Sequence, residues 1–276
     1  MSTTRLAFLG GGNMGRALIG GLLRHGTRPE HIWVGESVDS AREALSRDFG
    51  VHSTADNVAA VENATLVVLA VKPQVAGAVL APLQTMLSRS RPVVVSVAAG
   101  IRIDSLQHWC GADVPVVRAM PNRPALQGAG ATGLFAHESV STVQRAAAER
   151  VMQAVGEVVW VRAEEELDVV TALSGSGPAY FFLLAELMTR SAIELGLEPA
   201  TARRLALATL HGSGQLAFAS DGDLARMRAE VTSKGGTTEA AIRTFESADL
   251  AGIVARAMQA ATRRGRDMAA EFGTPD

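Results

Sequence analysis

Several residue types that commonly build functional sites are rare in this sequence. Cysteine occurs once in 276 residues, at Cys110, so an intrachain disulfide is impossible and a reducing compartment is expected. The stretch from His108 to Cys110 lacks the second pair of ligands that a zinc site needs, so we expect no metal. Lysine occurs only twice, at Lys72 and Lys234. The formal net charge of -2 gives nucleic acid or an anionic membrane no overall attraction.

Long hydrophobic runs are missing as well. Apolar stretches such as 66–71 and 93–99 are far shorter than the roughly 20 residues of a membrane-spanning helix. Residues 6–9 follow Arg5 in the manner of a signal peptide, but three glycines and then Asn13 interrupt the segment too early for an apolar signal region. We therefore expect a cytoplasmic protein that makes no membrane contact.

From residue 5 to about 162, short apolar runs alternate with helical segments. Runs without polar–apolar alternation are typical of strands covered on both faces, as in a parallel sheet. The expected strands are 6–9, 32–34, 66–71, 93–97, 114–120, 131–135 and 158–161, with helices such as 15–25, 39–49 and 141–155 between them. This order predicts an α/β fold whose N-terminal part is a Rossmann-like doubly wound sheet.

The character of the chain changes after residues 164–166. No further strand is expected, and helical segments follow at 179–195, 199–219 and 250–272. We predict a dinucleotide-binding domain over residues 1–163 and an all-helical C-terminal domain, for substrate binding and dimerisation, over residues 164–276. The segment 180–188 is apolar nearly all the way round, which indicates a helix buried on every side. A domain this small does not wrap such a helix alone, so we expect a homodimer or a higher homo-oligomer.

A glycine motif marks the first expected ligand site. Gly10-x-Gly12-x-x-Gly15 follows the first strand directly and opens a helix, the context that makes this spacing indicative of a dinucleotide. Gly10 permits a tight turn, Gly12 lets the backbone approach a pyrophosphate, and Gly15 allows the helix to lie close to the strand. Free amides at the helix N terminus would bind the phosphates.

The end of the second strand bears on the choice between NADH and NADPH. An acidic residue here, Glu36, is placed to accept hydrogen bonds from the adenosine ribose and to repel a 2′-phosphate, which favours NADH. Alternatively, Ser37 and Arg42 would form a small phosphate pocket with Glu36 turned outward. Glu36 is equally compatible with a solvated loop position, so the residues leave the choice open.

Later strand ends complete the expected cofactor site. Lys72 follows the strand at 66–71, at the edge where doubly wound sheets bind ligands, which favours a position of its stem along the cofactor groove. A solvent-directed side chain on the surface is the alternative. Small residues after the strand at 93–97 leave room for a nicotinamide ring. The predicted cofactor-binding residues are Gly10, Gly12, Asn13, Met14, Gly15, Glu36, Ser37, Asn57, Ala70, Val71, Lys72, Pro73, Val97 and Ala98.

Two glycine-rich segments in the helical region predict an anion site. Residues 174–177 are expected to form a loop before Pro178, which suits the first turn of a helix because proline has no N–H. Residues 233–238 form a second loop at the start of another helix. Exposed amides in such loops bind a carboxylate without any arginine, and simple capping by serine and threonine is the alternative. The predicted substrate-binding residues are Ser174, Gly175, Ser176, Gly177, Ser233, Lys234, Gly235, Gly236 and Thr237.

These segments carry a resemblance to one enzyme family. With residues 118–122 and 129–134, the segments 172–180 and 231–242 are similar, in order, to signature blocks of the pyrroline-5-carboxylate reductases. The resemblance implies an oxidoreductase that reduces 1-pyrroline-5-carboxylate to L-proline, the last step of proline biosynthesis, with NADPH or alternatively NADH as cofactor. It also implies that the catalytic Thr238 contacts the ring nitrogen of the substrate. One departure is Arg123, where a threonine is expected, which puts the approach to the nicotinamide in doubt.

Two other functions compete with this interpretation. The β-hydroxyacid dehydrogenases share the Gly-x-Gly-x-Met-Gly loop, but they use a lysine on a helix with an asparagine nearby. Here Lys234 lies in a glycine loop, and residues 164–276 contain no asparagine. A non-catalytic NADP-sensing protein would need no carboxylate site. Both functions are therefore disfavoured.

Overall fold

A computed structural model describes residues 5–220 and 222–273, which contain one eight-stranded sheet. Seven of the strands match the expected apolar runs to within two residues at each end. The strands are β1 (Leu6–Leu9), β2 (Ile32–Gly35), β3 (His52–Thr54), β4 (Leu66–Leu69), β5 (Val93–Ser96), β6 (Val116–Met120), β7 (Gly130–Ala136) and β8 (Gly156–Trp160).

The strand that the sequence did not predict is β3. It consists of three residues, His52, Ser53 and Thr54, none of which is buried, so no apolar run indicates it. Pairing with β2 and stacking of the His52 ring on Trp33, with centroids 4.3 Å apart, hold it at the sheet edge. Tertiary pairing therefore forms this strand against its own propensity.

The strand order is β3-β2-β1-β4-β5-β6-β7-β8. The first six strands in this order are parallel neighbours, whereas β7 runs antiparallel to β6 and β8 runs parallel to β7. The reversal follows from the connection between β6 and β7, a short 3-10 turn with no crossover helix, because parallel neighbours need a long crossover. The order confirms the predicted doubly wound α/β class.

Helices fill most of the connections, and helices joined by short turns make up the described residues after β8. Two expected helices, Asp39–Phe49 and Leu250–Phe272, have the predicted bounds. The helices are α1 (Asn13–Arg24), α2 (Asp39–Phe49), α3 (Asn57–Val61), α4 (Ala76–Leu80), α5 (Gln84–Ser90), α6 (Ile103–Cys110), α7 (Thr142–Gln153), α8 (Glu166–Val170), α9 (Gly177–Glu194), α10 (Pro199–Phe218), α11 (Leu224–Glu230), α12 (Thr237–Ser247) and α13 (Leu250–Phe272).

Both faces of the sheet are covered, as the continuous apolar runs predicted. Alternate residues of the central strands, such as β1 and β4, enter different hydrophobic clusters: Phe8 and Val68 lie in one, and Leu9 and Leu69 in the other. All four side chains are fully buried. The sheet is therefore a rigid central layer, and the segments that leave its strands are held in place by their ends.

The chain divides into two compact units. One consists of Met1–Ser176 together with Ala261–Asp276, and the other of Gly177–Ala260. Helix α8 belongs with the sheet, where a Cβ on Gly133 of β7 would lie 2.7 Å from Val170 Cγ1, so only glycine permits this approach. The predicted boundary after residue 163 stays a prediction.

The surface of α9 bears on the expected assembly. In the single chain only Gly177 of this helix is buried, while Phe181, Phe182 and Leu183 are each more than half exposed. One chain therefore does not cover the helix, as the small size of the helical domain predicted. Burial of the helix between copies stays a prediction.

Among the residues that the structure describes, one helical segment, Glu166–Glu194, is long and apolar enough by length and composition to cross a membrane, with a mean hydropathy of 1.3. The short apolar runs did not indicate it, because polar residues such as Glu186 and Ser176 are spread along it. A single segment of this kind is weak evidence for a membrane, since apolar helices of soluble proteins pass the same test.

Candidate active site

The carboxyl ends of β1, β2, β4, β5 and β6 lie at one edge of the sheet, because these strands are parallel neighbours. The chain leaves β1 towards β2 on one side, and β4 adjoins β1 on the other. Ligands of doubly wound sheets bind outside this edge at such a switch point. The predicted cofactor residues before residue 100 follow these strand ends or lie close to them.

Each glycine of the loop after β1 has a distinct environment. Gly10 has a φ of +98°, and a Cβ there would lie 2.8 Å from the carbonyl oxygen of Ala70. A Cβ on Gly15 would lie 2.5 Å from the Gly10 carbonyl oxygen, so the helix lies against the turn. Gly12 faces open space. These environments are the tight turn, the close helix and the open approach that the motif requires.

The backbone amides at the N terminus of α1 are not capped by a side chain of the described residues. Asn13 and Met14 are the first residues of this helix, and Gly12 is its N-cap. Both Gly12 and Asn13 are exposed. Uncapped amides at the positive end of a twelve-residue helix are a binding site for phosphate groups.

Glu36 lies against this loop. Its Oε2 accepts a hydrogen bond from the Gly11 nitrogen at 2.9 Å, and its Oε1 accepts one from the Val38 nitrogen at 3.0 Å. The residue is half-buried. The structure therefore places the carboxylate beside the dinucleotide loop, and the outward and solvated alternatives do not describe it.

The neighbouring cationic side chain is Arg42, which bonds to groups of the protein other than the Glu36 carboxylate. Arg42 donates to the carbonyl oxygen of Glu36 at 2.7 Å and pairs with the carboxylate of Asp39. Ser37 is exposed, and the side chain of Asn57 faces Gly35, where a Cβ would lie 2.1 Å from Asn57 Oδ1. Two of the five N–H groups of Arg42 are therefore already bonded within the protein.

The residues that follow β4 and β5 are the next predicted cofactor contacts. Val71 lies beside the glycine loop, its Cγ1 2.8 Å from the Cβ position of Gly10. Lys72 is exposed, has no ion-pair partner in the described part of the chain, and precedes a 3-10 turn that begins at Pro73. After β5, Val97 is half-buried, and the nitrogen of the buried Ala98 donates to Ser96 Oγ at 3.3 Å.

The segment 174–177 is not a loop, which corrects the sequence prediction. Thr171–Gly175 forms a π-helical turn that continues α8, Ser176 is a bend, and Gly177 begins α9. The nitrogen of Ser176 donates to the carbonyl of Thr171, five residues earlier, at 2.8 Å. Pro178 both removes a backbone donor and crowds the preceding turn, so the chain bends within a helix instead of leaving it.

Asn122, at the end of β6, contacts this turn, and the sequence reasoning did not include it among the site residues. Its Nδ2 donates to the Ser174 carbonyl at 3.0 Å, and its Oδ1 accepts from the Ala131 nitrogen at 2.9 Å. Further back on β6, Arg118 donates to Glu164 at 2.7 Å, and the same Glu164 oxygen accepts from the Ile103 nitrogen. These ties fix the end of β6 and the start of α8.

In the second unit, Ser233, Lys234, Gly235 and Gly236 form a tight turn before α12. The Gly236 nitrogen donates to the Ser233 carbonyl at 3.0 Å, and Gly235 has a φ of +73°. The Gly235 nitrogen donates to Glu239 Oε2 at 2.7 Å, and Arg243 donates to the other oxygen of that carboxylate. Glu239, in the first turn of α12, thus stabilises the turn that precedes the helix.

The N terminus of α12 is uncapped by side chains. Gly236 is the N-cap, and the hydroxyls of Thr237 and Thr238 have no hydrogen-bond partner among the described residues. Thr237 is exposed and Thr238 half-buried. Capping by serine or threonine, the alternative for this segment, is therefore not what the structure shows. Backbone amides that no side chain caps at a helix N terminus are the kind of group that binds anions, so the anion site at this turn stays a prediction.

Comparison with known proteins decides the family. Residues 164–268 match a family model described as pyrroline-5-carboxylate reductase dimerisation, and residues 5–100 match one described as NADP oxidoreductase, coenzyme F420-dependent. A pyrroline-5-carboxylate reductase of Pseudomonas aeruginosa is 43% identical over 99% of this chain and 100% of its own length. That of Vibrio alginolyticus is 40% identical over 97% of this chain and 98% of its own length.

The chain belongs to the pyrroline-5-carboxylate reductase family. A solved reductase of Coxiella burnetii superposes on it with a TM-score of 0.94 at 40% identity, covering 97% of this chain and 99% of that one. The Plasmodium falciparum enzyme, solved with NADP bound, gives a TM-score of 0.82 at 26% identity, covering 98% and 99%. The family resemblance and the prediction of an NAD(P)H-dependent oxidoreductase are confirmed.

Proposed function

We propose that this reductase converts 1-pyrroline-5-carboxylate to L-proline by hydride transfer from NAD(P)H at the carboxyl edge of the sheet. The observation that carries the mechanism is the uncapped start of α12, with two unpartnered threonine hydroxyls. The substrate is a cyclic imine with an adjacent carboxylate. It needs one anion site, one hydrogen-bonding group for the ring nitrogen and access to the nicotinamide.

The backbone amides at the start of α12 are proposed to hold the carboxylate. The helix has eleven residues and a glycine N-cap, so its first amides point out of the helix without side-chain competitors. Glu239, in the first turn of the helix, accepts from the Gly235 nitrogen and from Arg243, so the guanidinium of Arg243 offsets its negative charge at the helix start. A substrate carboxylate would bind the amides that follow Gly235.

Hydride transfer needs little acid–base chemistry. When the imine nitrogen carries a proton from solution, hydride from C4 of the nicotinamide adds to the imine carbon, the C=N bond becomes C–N, and the products are proline and NAD(P)⁺. The chain then contributes positioning and electrostatics. We assign the hydroxyl of Thr238 to the ring nitrogen, since it is free, half-buried and next to the amides proposed for the carboxylate.

The cofactor is proposed to lie over the loop Gly10–Gly15, with its pyrophosphate on the start of α1. Gly12 leaves the open approach, and Val71, Lys72 and Ala98 follow the adjacent strand ends. Glu36 lies where the adenosine ribose would bind and therefore sets the ratio of NADH to NADPH use.

We propose that the reductase is a homodimer or a larger homo-oligomer and that it acts in the cytoplasm. Exposed apolar side chains crowd α9, with Phe181 and Phe182 each 61% exposed in the single chain. Apolar surface of this extent is typical of a subunit interface. A second copy would also cover the segment that passes the composition test for a membrane span. Analytical ultracentrifugation in the absence of detergent tests the assembly.

The activity is tested directly by adding 1-pyrroline-5-carboxylate to the purified chain with NADH or NADPH. Loss of absorbance at the nicotinamide band, with equimolar proline formed, is the expected result. If the chain bound the cofactor but did not reduce this imine, and oxidised a 3-hydroxy acid instead, the proposed activity would be wrong. That result would indicate a β-hydroxyacid dehydrogenase.

A further inference from the structure

The side-chain amide of Asn122 has a fixed orientation. The Ser174 carbonyl oxygen can only accept a hydrogen bond and the Ala131 nitrogen can only donate one, so Nδ2 faces the former and Oδ1 the latter. The residue is 8% exposed. A buried amide that joins two backbone groups from different segments is a structural tie between them.

The carbonyl that Asn122 satisfies is one that the helix leaves open. In an α-helix the Ser174 carbonyl would accept from the nitrogen four residues later, and residue 178 is proline. The Ser174 hydroxyl points elsewhere, donating to the Val170 carbonyl at 3.0 Å. Asn122 therefore supplies the donor that Pro178 lacks, in a region where an unpaired carbonyl is costly.

A second contact joins the same two segments. Met120, two residues before Asn122, lies so close to Gly175 that a Cβ there would be 2.7 Å from Met120 Cε. Since β6 is parallel to β5, its end lies at the carboxyl edge of the sheet, with the other strand ends that carry cofactor residues. The π turn is thus fixed to the ligand-binding edge by one hydrogen bond and one close contact.

We infer that Asn122 is a positioning residue for the reduction, holding the Ser174 carbonyl so that residues 174–177 keep their arrangement beside the nicotinamide. This role rests on the proposed function, in which those residues line the substrate site. Without the tie, the carbonyl would be unpaired and the turn would relax towards another helical geometry. The imine would then be held less accurately for hydride transfer, while the dinucleotide loop after β1 would keep its structure.

The decisive experiment is a double-mutant cycle. Asn122→Asp keeps the acceptor for Ala131 but sets a carboxylate against the Ser174 carbonyl, and Asn122→Ala removes the tie. Each should lower kcat/KM for the imine by roughly 10–100-fold, since small displacements of reacting groups have effects of this size. The KM for NAD(P)H should change by less than about threefold. Pro178→Ala restores a backbone N–H for the Ser174 carbonyl but no acceptor for the Ala131 nitrogen, so Asn122→Ala should lower kcat/KM at least about threefold less in the Pro178→Ala background than in the unsubstituted chain.

A structural readout separates this inference from the proposed activity. The amide of Ser176, bonded to the Thr171 carbonyl, should exchange with deuterium faster in Asn122→Asp and return to its original rate in the Asn122→Ala, Pro178→Ala pair. The control is Thr132→Val on β7, a buried hydroxyl with no partner among the described residues, and it should leave exchange and turnover unchanged. Turnover by the unsubstituted chain tests the proposed function on its own.

Three outcomes would overturn the inference. Full kcat/KM in Asn122→Asp would show that the tie does not affect the reaction. Unchanged exchange at Ser176 would show that the turn does not depend on it. Equal loss of imine turnover and cofactor binding, without recovery by Pro178→Ala, would mean that Asn122 only stabilises the fold.

Discussion

The carboxylate of Glu36 accepts a hydrogen bond from the backbone nitrogen of Gly11, 2.9 Å away and 25 residues earlier in the chain. This contact joins the end of β2 to the dinucleotide loop that follows β1. It places a negative charge beside the amides that are proposed to bind the cofactor, so we propose that the residue affects cofactor selection as well as the shape of the loop.

Replacement of Glu36 by serine should raise the use of NADPH relative to NADH. Removing one partly screened repulsion of a 2′-phosphate is worth about 1–2 kcal/mol, or roughly 5–30-fold in the ratio of kcat/KM values. Steady-state kinetics with both cofactors measure the ratio. Glu43→Ser, at an exposed position on α2, makes the same change in net charge and should leave the ratio alone. An unchanged ratio in Glu36→Ser would show that this carboxylate does not lie near the 2′ position of the cofactor's adenosine ribose.

Thr238→Ala should lower kcat for the imine by roughly 3–100-fold, because a lost hydrogen bond costs about 0.5–1.5 kcal/mol and up to about 3 where charge is involved. Cofactor affinity should barely change. Thr237→Ala is the matched control on the same turn of α12 and should affect stability more than turnover. Full activity of Thr238→Ala with loss in Thr237→Ala would exchange the two roles. Full activity of both variants would contradict the proposed substrate site.

Charged residues on α9 should disrupt the assembly. Phe182→Glu together with Leu184→Glu would place carboxylates on a surface proposed to be apolar and shared between copies, so aggregated or unstable protein is expected. Light scattering and thermal unfolding measure both effects. Val143→Glu, at a side chain 78% exposed on α7, is the control and should leave size and stability unchanged. An active, well-folded monomer in the α9 variant would contradict the proposed interface.

Cys110 should make stability depend on pH in the alkaline range. Burial raises the pKa of its thiol from 9.0 to about 12. The unfolded thiol ionises above pH 9 while the folded thiol stays protonated, so unfolding releases a proton and the free energy of unfolding falls as pH rises.

From pH 8 to pH 10 this loss should be about 1.4 kcal/mol, measured by urea unfolding. The matched comparison is Cys110→Ala, in which this part of the pH dependence should disappear although other groups still titrate. Equal slopes for the two proteins would show that the thiol ionises as readily in the folded state.

The sequence identified most of the fold, because its signals are local. Apolar runs and helix-period segments depend on neighbouring residues, and they indicated seven strands and the bounds of α2 and α13. The glycine spacing from Gly10 to Gly15 likewise reflects steric demands within one turn. By contrast, β3 is short and polar, and it exists only because β2 offers a partner.

The sequence by itself therefore determined the fold class, the family and the glycine turns, since each is encoded in contiguous residues. Only the tertiary structure decided where long-range contacts direct individual groups. It placed the carboxylate of Glu36 against the Gly11 nitrogen, made residues 174–177 the end of a π turn, a bend and the start of α9 instead of a loop, and bonded Asn122 to the Ser174 carbonyl. The bonds of Glu36 and Asn122 join residues 25 and 52 positions apart, and no local pattern records which partner a buried polar group will find.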